Sequence, residues 1–325
     1  MNNEITQKLP VSLAKSAPSD TNDETQLSTQ LQTMRSPWQG AWRQFRRHRL
    51  AMVGAVALLV IIISTVVGPF VYTTPYNKVD FAVASQGPSW NYPFGTNDLG
   101  QDMLARVLWG GRISVAVSVF AMLVAITLGT LIGSLAGFFG GSLDLFLMRL
   151  TDIFLALPQL PLLLLVIYLF RQSITAAVGP ELGVFVLIVL IIGGLNWMSV
   201  ARLVRANFLV LREAEFVTAA QAVGVPEGQI IRRHLLPNTL GPVIVAATLA
   251  VGSAIITESS LSFLGLGFPP DTPTWGRMLF EAQNYVEFTP SMALFPGLFI
   301  FVTVLSINYI GDGLRDALDP QLRTK

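Results

Sequence analysis

The stretch LAMVGAVALLVIIISTVVGPFVYTTPYN (50–77) contains no charged side chain. A helix of roughly 20 apolar residues crosses a hydrocarbon core of about 30 Å. Five more stretches of this kind follow, and none alternates with a period of two as the strands of a membrane barrel do. Because helices satisfy their own backbone groups in lipid, the sequence predicts an all-α polytopic membrane protein. Its six spans are expected at 50–77, 113–143, 153–170, 182–201, 239–257 and 288–311.

Composition supports a membrane protein and excludes several other classes. The 325 residues are 52% hydrophobic and 13% charged, about half the charge of average soluble domains, and the mean hydropathy is +0.57. This excludes an ordinary cytosolic enzyme and a disordered chain. A net charge of +1 provides no basic field for nucleic acid, and the absence of cysteine excludes disulfides and thiolate chemistry.

Charged residues predict the organisation of the two ends. Residues 1–35 are mostly polar and are expected to form a disordered cytoplasmic leader. The segment 36–49 places Trp38, Trp42 and Phe45 at helical spacing among four arginines. This pattern is typical of a basic interfacial helix on the cytoplasmic leaflet, and a plain orientation signal is an equal alternative.

The distribution of Lys and Arg predicts that both termini are cytoplasmic. Thirteen of these residues flank the spans on the side of the termini, and five lie on the opposite side. The domain of six spans then covers 50–323, with a tail at 324–325. Its longest external loop is expected at about 78–112, and its longest cytoplasmic loop at about 202–238.

Three shorter segments carry further expectations. In the external loop, Asp98 and Asp102 would be too few for a calcium cage, so a solvated loop is favoured over a cation site. Small residues that recur every four positions favour close helix packing, within the chain or against a partner. They are Gly129, Gly133 and Gly137. In the stretch 140–152, a short turn with Asp144 and Asp152 paired around Arg149 is favoured over a coupling role.

The cytoplasmic loop RLVRANFLVLREAEFVTAAQAVGVPEGQIIRRHLLPN (202–238) predicts two helices broken at residues 224–226. Gly224 suits the end of the first helix, and Pro226 suits the first turn of the second. Phe216, Ala220 and Val223 are expected on one face of the first helix. That helix would either insert into a groove of another protein or fold against its own bundle, and both remain open.

This loop resembles the loop of the membrane subunits of binding-protein-dependent ABC importers. Their pattern is Glu-Ala-Ala, three residues, Gly, nine residues, then Ile-x-Leu-Pro. Here Thr218 stands in place of Glu and His234 in place of Ile, while the spacing is unchanged. The segments 94–102, 257–279 and 307–323 resemble further regions of the dipeptide and oligopeptide branch.

The resemblance implies a type I ABC importer permease fold and a role as the translocation-pathway subunit for peptides in the bacterial cytoplasmic membrane. It implies a homologous membrane partner in a heterodimer, two cytoplasmic ATPase subunits that bind ATP and Mg²⁺, and an external solute-binding protein. It also implies that the residues for ATPase contact are Thr218, Ala219, Ala220, Gly224, His234 and Pro237. Nickel complexes or other small solutes are an alternative cargo.

The residues offer no catalytic constellation, so the chain is not expected to be an enzyme or to have its own cofactor, metal or catalytic residue; the resemblance implies that it is the membrane subunit only. None of its four lysines follows a glycine as a phosphate-binding loop requires. Glu258, at the outer end of the fifth span, either lines the substrate path or lies near water beside Ser259 and Ser260. A proton- or sodium-coupled secondary transporter is the alternative function, although internal repeats and midplane charges are not evident. An intramembrane hydrolase is a third alternative, but it would need a nucleophile–base pair, and the sequence offers no convincing one.

Overall fold

The computed structural model describes residues 37–318, so the predicted leader (1–35) and the tail lie outside the described residues. Within this range the secondary structure is helical apart from one isolated bridge, between Thr96 and Asp102. Four short helices are α1 (Pro37–Arg47), α4 (Gly141–Ala156), α7 (Glu215–Ala222) and α10 (Trp275–Ala282). Five long helices are α2 (Arg49–Val71), α3 (Met103–Phe139), α5 (Gln159–Val178), α6 (Pro180–Arg212) and α11 (Ser291–Leu318).

The fifth span is composite and completes the six predicted membrane helices. It consists of α8 (Glu227–Ile230), a π-helical turn (Ile231–Leu235) and α9 (Leu236–Phe263). All six are long and apolar enough to cross a membrane. Which ends face the cytoplasm remains a prediction from the charge pattern.

Most of the predicted span boundaries differ from the observed helix ends, and three of the differences have a clear local reason. The first span ends at Val71, six residues early, before the Thr-Thr-Pro turn. The second begins at Met103, because Asp102 caps the α3 N-terminus by accepting from the Ala105 amide at 3.0 Å. Ten residues of the predicted external loop are therefore helical. The third begins at Gln159, because Pro158 forces Leu157 out of helical geometry (ψ 137°).

The centre of the fold is the contact between α3 and α6, which three glycines make possible. An added Cβ would lie 2.5 Å from the Val200 Cβ at Gly129 and 2.5 Å from the Phe208 Cβ at Gly137, and at Gly133 it would overlap the Ala201 carbonyl oxygen. Small residues on one helix face allow such close backbone approach. The structure thus places the predicted glycine packing within the chain.

Helix α4 is tied to α6 by two ion pairs, which corrects two predictions. The residues predicted as a short turn form a helix of 16 residues. Asp144 accepts from Arg205 Nη2 at 2.7 Å, and Asp152 accepts from Arg202 Nη2 at 2.6 Å. The predicted pairing around Arg149 was wrong, because α4 turns both carboxylates toward the arginines of α6.

A proline inside α2 creates a contact with α3. Pro69 has no N–H, so the Thr65 carbonyl four residues earlier loses its helical donor. Arg112 replaces that donor through Nε at 2.9 Å. Its guanidinium also lies 4.6 Å from the Trp109 ring centroid and 4.9 Å from the Phe70 ring centroid, both within cation–π distance. One arginine thereby joins the first two spans.

Within the predicted basic segment 36–49 the structure has the helix α1, which ends before His48, while its place at the membrane interface stays a prediction. Its Phe45 packs against the end of α11, where an added Cβ at Gly313 would lie 3.2 Å from the Phe45 ring. Trp42 remains 61% exposed. The side chain of Trp38 lies outside the described part of the chain. The helix therefore has one face on the bundle and one face free.

Candidate functional site

The candidate site is the connection between α6 and the fifth span, where α7 lies across the end of the bundle. Val217 and Ala220 of α7 are buried against the bundle. The cluster that receives them includes Phe208 of α6, Ile230 of α8 and Leu235 of the π-helical turn. One face of α7 is thus folded against its own chain.

The other face of α7 is open. Val223 is 81% exposed, Phe216 is 43% exposed, and Thr218 and Ala219 are also exposed. The prediction that Ala220 shares a face with Phe216 and Val223 was wrong, because Ala220 points inward. The two predicted alternatives for α7 therefore apply to its opposite faces. One face is folded on the bundle, and the other is available to another protein.

Gly224 ends α7 in a Schellman motif, which confirms the predicted break. Its φ is +77°, a left-handed conformation that residues with a Cβ rarely adopt. The Gly224 amide donates to the Gln221 carbonyl at 2.9 Å, and the Val225 amide donates to the Ala220 carbonyl at 3.1 Å. Pro226 precedes the second helix as its N-cap, one residue earlier than predicted. These bonds set the direction of the chain as it leaves α7.

His234 and Pro237 lie in the widened turn that follows. The Leu236 amide donates to the Ile231 carbonyl, five residues back, and Pro237 has no amide to donate. The Asn238 side-chain amide donates to the His234 carbonyl at 2.6 Å. The imidazole lies 6.3 Å, centroid to centroid, from the Phe216 ring. His234 therefore borders the open face of α7, and Pro237 is exposed one turn away.

On the opposite side of the bundle, the loop around residues 94–102 is packed, not solvated as predicted. Thr96, Asn97, Gln101 and Asp102 are all buried. Within residues 37–318 no group of three or more His, Asp or Glu side chains is placed to hold a metal ion. Besides capping α3, Asp102 accepts from the Tyr72 hydroxyl at 2.5 Å. Burial and this bond raise the pKa of Tyr72 to about 12.

A buried ion pair joins this loop region to α10. Arg106 of α3 is 2% exposed and donates to Glu281 at 2.7 Å. Arg277 donates to the same carboxylate at 3.1 Å. Arg106 falls within the external loop predicted at about 78–112, and this pair was not predicted. The available signal was an arginine in the helical stretch before an apolar span, since an ionisable group there needs a partner.

Glu258 lies at the junction of α3, α9 and α10, and it is completely buried. Its carboxylate accepts from the Ser262 hydroxyl at 2.8 Å and from the Ser114 hydroxyl at 3.4 Å. Ser114 in turn accepts from the Trp275 amide at 3.2 Å. The expected neighbour Ser260 instead donates to the Ile256 carbonyl. In this conformation Glu258 holds helices together and has no access to the surface of the chain.

Comparison with known proteins identifies the class to which this fold and this loop belong. Residues 129–324 match the family described as binding-protein-dependent transport system inner membrane component. Residues 36–88 match the N-terminal transmembrane domain of oligopeptide transport permease C. The chain therefore belongs to the family of inner membrane components of binding-protein-dependent transport systems, as the loop motif predicted.

Individual relatives cover nearly the whole chain. The dipeptide transport system permease protein DppC of Alkalihalophilus pseudofirmus is 39% identical over 89% of this chain and 91% of its own. The oligopeptide transport system permease protein OppC of Haemophilus influenzae is 39% identical over 89% and 90%. The glutathione transport system permease protein GsiD of Escherichia coli O157:H7 is 39% identical over 89% and 92%. These relatives confirm the predicted dipeptide and oligopeptide branch.

A solved structure confirms the fold. A chain of the inward-facing MetNI methionine ABC transporter superposes with a TM-score of 0.51 at 17% identity. The match covers 67% of this chain and 98% of that chain. The protein is a multi-pass membrane protein with the type I ABC importer permease fold.

Proposed function

We propose that this chain is the translocation-pathway subunit of an ATP-driven importer that carries peptides across the bacterial cytoplasmic membrane. The family and the names of the relatives, which refer to dipeptides, oligopeptides and glutathione, support this cargo. Nickel complexes and other small solutes are the alternative cargo. A proton- or sodium-coupled secondary transporter is the alternative mechanism, and membership of this family weighs against it.

The proposed assembly contains a homologous membrane subunit, giving a heterodimer, two cytoplasmic ATPase subunits with ATP and Mg²⁺, and an external solute-binding protein. The observation that carries the proposal is the double-sided α7. One face is anchored to the bundle through Val217 and Ala220, and the other presents Phe216, Ala219 and Val223 to a partner. Thr218, Gly224, His234 and Pro237 complete the proposed ATPase contact.

The packing provides a route for the coupling. A force on α7 acts on α6 through Phe208 and on the fifth span through Ile230 and Leu235. Helix α6 in turn is held against α3 by the glycine contacts, so we expect these elements to move together. ATP would shift the population between two global states by binding more tightly to the assembly in one of them. Alternating access follows if those states open the path to opposite sides.

Substitution of Gly224 tests the coupling role. In Gly224→Val, a branched side chain must adopt φ +77°, at about 1–2 kcal/mol, or change the exit direction of the chain. We expect peptide uptake to fall about tenfold, while membrane insertion remains normal. Gly228→Val is the matched control, since Gly228 also has open space around it but no positive φ. Equal uptake by the two variants would contradict the proposal.

Crosslinking tests the partner, and the absence of native cysteine removes background. A cysteine introduced by Ala219→Cys should crosslink to an ATPase subunit, because Ala219 is exposed. Ala220→Cys, one position away and buried, should crosslink far less. Labelling of Ala219→Cys only from the external side would show that the predicted orientation is wrong.

For Glu258 we propose contact with the substrate path only in conformations that separate α10 from α9. The support is its sealed position between those helices. Glu258→Gln keeps the shape and one acceptor oxygen but removes the charge. A changed preference among charged peptides, at unchanged protein abundance, is the expected result. Unchanged uptake of every peptide tested leaves Glu258 with the structural role alone.

A further inference from the structure

An apolar groove lies where α1 meets α9 and α11. Its volume is about 260 Å³, and its lining includes Trp42, Phe45, Ile244, Leu314 and Leu318. At roughly 30 Å³ for a group the size of one water molecule, the groove has room for about eight such groups. A short segment of a lipid acyl chain has this size. No charged side chain lines it.

The helix that forms one side of this groove is strongly basic. Four arginines follow Trp42 in α1 and at the start of α2, and all four are exposed. Among residues 37–318, no carboxylate lies within ion-pairing distance of any of them, and Asp316 instead lies 3.8 Å from His48. Arg46 lies one helical turn from Trp42, on the same side of α1. The four are Arg43, Arg46, Arg47 and Arg49.

The position of the groove along the bundle also matters. The groove is lined by the early part of α9 and the end of α11, and the adjoining apolar cluster includes Ala51 at the start of α2. Helix α9 begins within the loop predicted at about 202–238. The groove is therefore on the side predicted to be cytoplasmic. The cytoplasmic leaflet carries anionic lipids and attracts basic segments next to a span.

We propose that this groove binds one anionic phospholipid, with a segment of acyl chain against Trp42, Ile244 and Leu314 and the phosphate beside Arg46. A free anion would not use the apolar lining, and a neutral lipid would not use the unpaired arginines. An anionic lipid uses both. The bound lipid would fill the gap between α1 and the bundle, and so hold the basic helix in its place.

Tryptophan quenching by brominated lipids tests this assignment. The full chain is placed in nanodiscs that contain dibrominated phosphatidylglycerol or dibrominated phosphatidylcholine, and the Trp42 signal is the difference between wild type and Trp42→Phe. Half-maximal quenching should need at least about fivefold less phosphatidylglycerol than phosphatidylcholine, since each arginine near the surface changes binding by about that factor.

Two variants separate the headgroup site from the groove. Arg46→Gln should reduce the preference for phosphatidylglycerol about fivefold, while Arg149→Gln should leave it unchanged. Arg149 is also exposed, but it lies on α4. Leu314→Phe, which fills the groove, should reduce quenching by both lipids, and thermal unfolding establishes that each variant is folded.

Three results would overturn the proposal. Equal quenching by the two lipids would remove the role of the arginines. An equal effect of Arg46→Gln and Arg149→Gln would show a general charge effect on the surface. No quenching by either lipid in the full chain would show that another segment or a partner occupies the groove.

Discussion

The two ends of this bundle differ in how they place their polar and apolar side chains. At the end that includes α10, the chain buries its polar groups and pairs them, as Arg106 with Glu281 and Tyr72 with Asp102. At the end that includes α7, it leaves apolar side chains such as Val223 exposed. The first end is thus joined by buried polar pairs, although Trp90 and Phe288 are exposed there too, while the second presents an apolar helix face that a partner could cover.

Substitutions at the two ends are expected to have different effects. Buried, paired polar groups are costly to disturb because each partner is left without compensation. Exposed apolar side chains contribute little to the stability of the chain itself. Substitutions at the α10 end should therefore affect folding first, and substitutions on the open face of α7 should affect association first.

Arg106→Ala should have the largest effect on stability. It removes one of two donors to Glu281 and one of two donors to the buried Gln101 side chain, at about 3 kcal/mol of unfolding free energy, because Arg277 still faces the carboxylate. Thermal or denaturant unfolding of the purified protein measures it. Arg277→Ala removes a more exposed partner of the same carboxylate and should cost clearly less. Equal losses would show that the two arginines are equivalent.

Gly276→Val should have the next largest effect. An added Cβ would lie 2.5 Å from the Ser259 Cα and 2.7 Å from its carbonyl oxygen, so α10 must move away from α9. Overpacking of this kind costs about 1–3 kcal/mol, measured by the same unfolding experiment. Gly297→Val is the control, because the nearest atom there is 3.9 Å away. A near-neutral Gly276→Val would mean that α10 is loosely held.

Tyr72→Phe should have a smaller effect that depends on pH. Loss of the bond to the Asp102 carboxylate costs about 1.5 kcal/mol. The folded pKa of Tyr72 is about 12, above its unfolded value of 10.0. The contribution of the neutral hydroxyl is therefore fully present below pH 10 and is lost as pH rises through 12.

Phenolate absorbance of wild type minus Tyr72→Phe, recorded across pH 9–13, isolates this titration. The difference should rise near pH 12. A midpoint near pH 10 would show that the hydroxyl is solvated and that the loop around residues 94–102 is open.

Val223→Ser should change stability least, within about 0.5 kcal/mol, because Val223 already faces solvent. The same substitution at buried Val217 should destabilise the protein by about 1–3 kcal/mol. Co-purification of an ATPase subunit should weaken in Val223→Ser despite normal folding. Retention of the ATPase at full yield would remove Val223 from the proposed contact.

Several features were predictable because they depend on local chemistry. The six spans follow from the length of apolar runs, and the end of α7 follows from Gly224, which alone suits the left-handed turn. Pro158 and Asp102 also act locally, and their effects on the helix boundaries were readable in principle. The family followed from the spacing of the loop motif.

The inner and outer faces of α7 were not predictable in the same way. Ala220 and Val223 are three residues apart and share a helical face by periodicity, yet Ala220 is buried and Val223 is exposed. The Schellman turn at Gly224 and the position of Phe208 decide which side chain is buried. The pattern of eight residues in α7 predicts neither the direction of that turn nor the packing of α6.

The sequence by itself determined that this is a helical membrane protein of six spans with a glycine-capped helix between the fourth and fifth, because burial of apolar runs and backbone geometry act over short distances. Only the tertiary structure decided that Arg106 pairs with Glu281, 175 residues away, that Asp144 and Asp152 face α6, and that Glu258 is sealed. Such pairs depend on which helices pack side by side, and the energy that selects them is a sum over many contacts that no single segment carries.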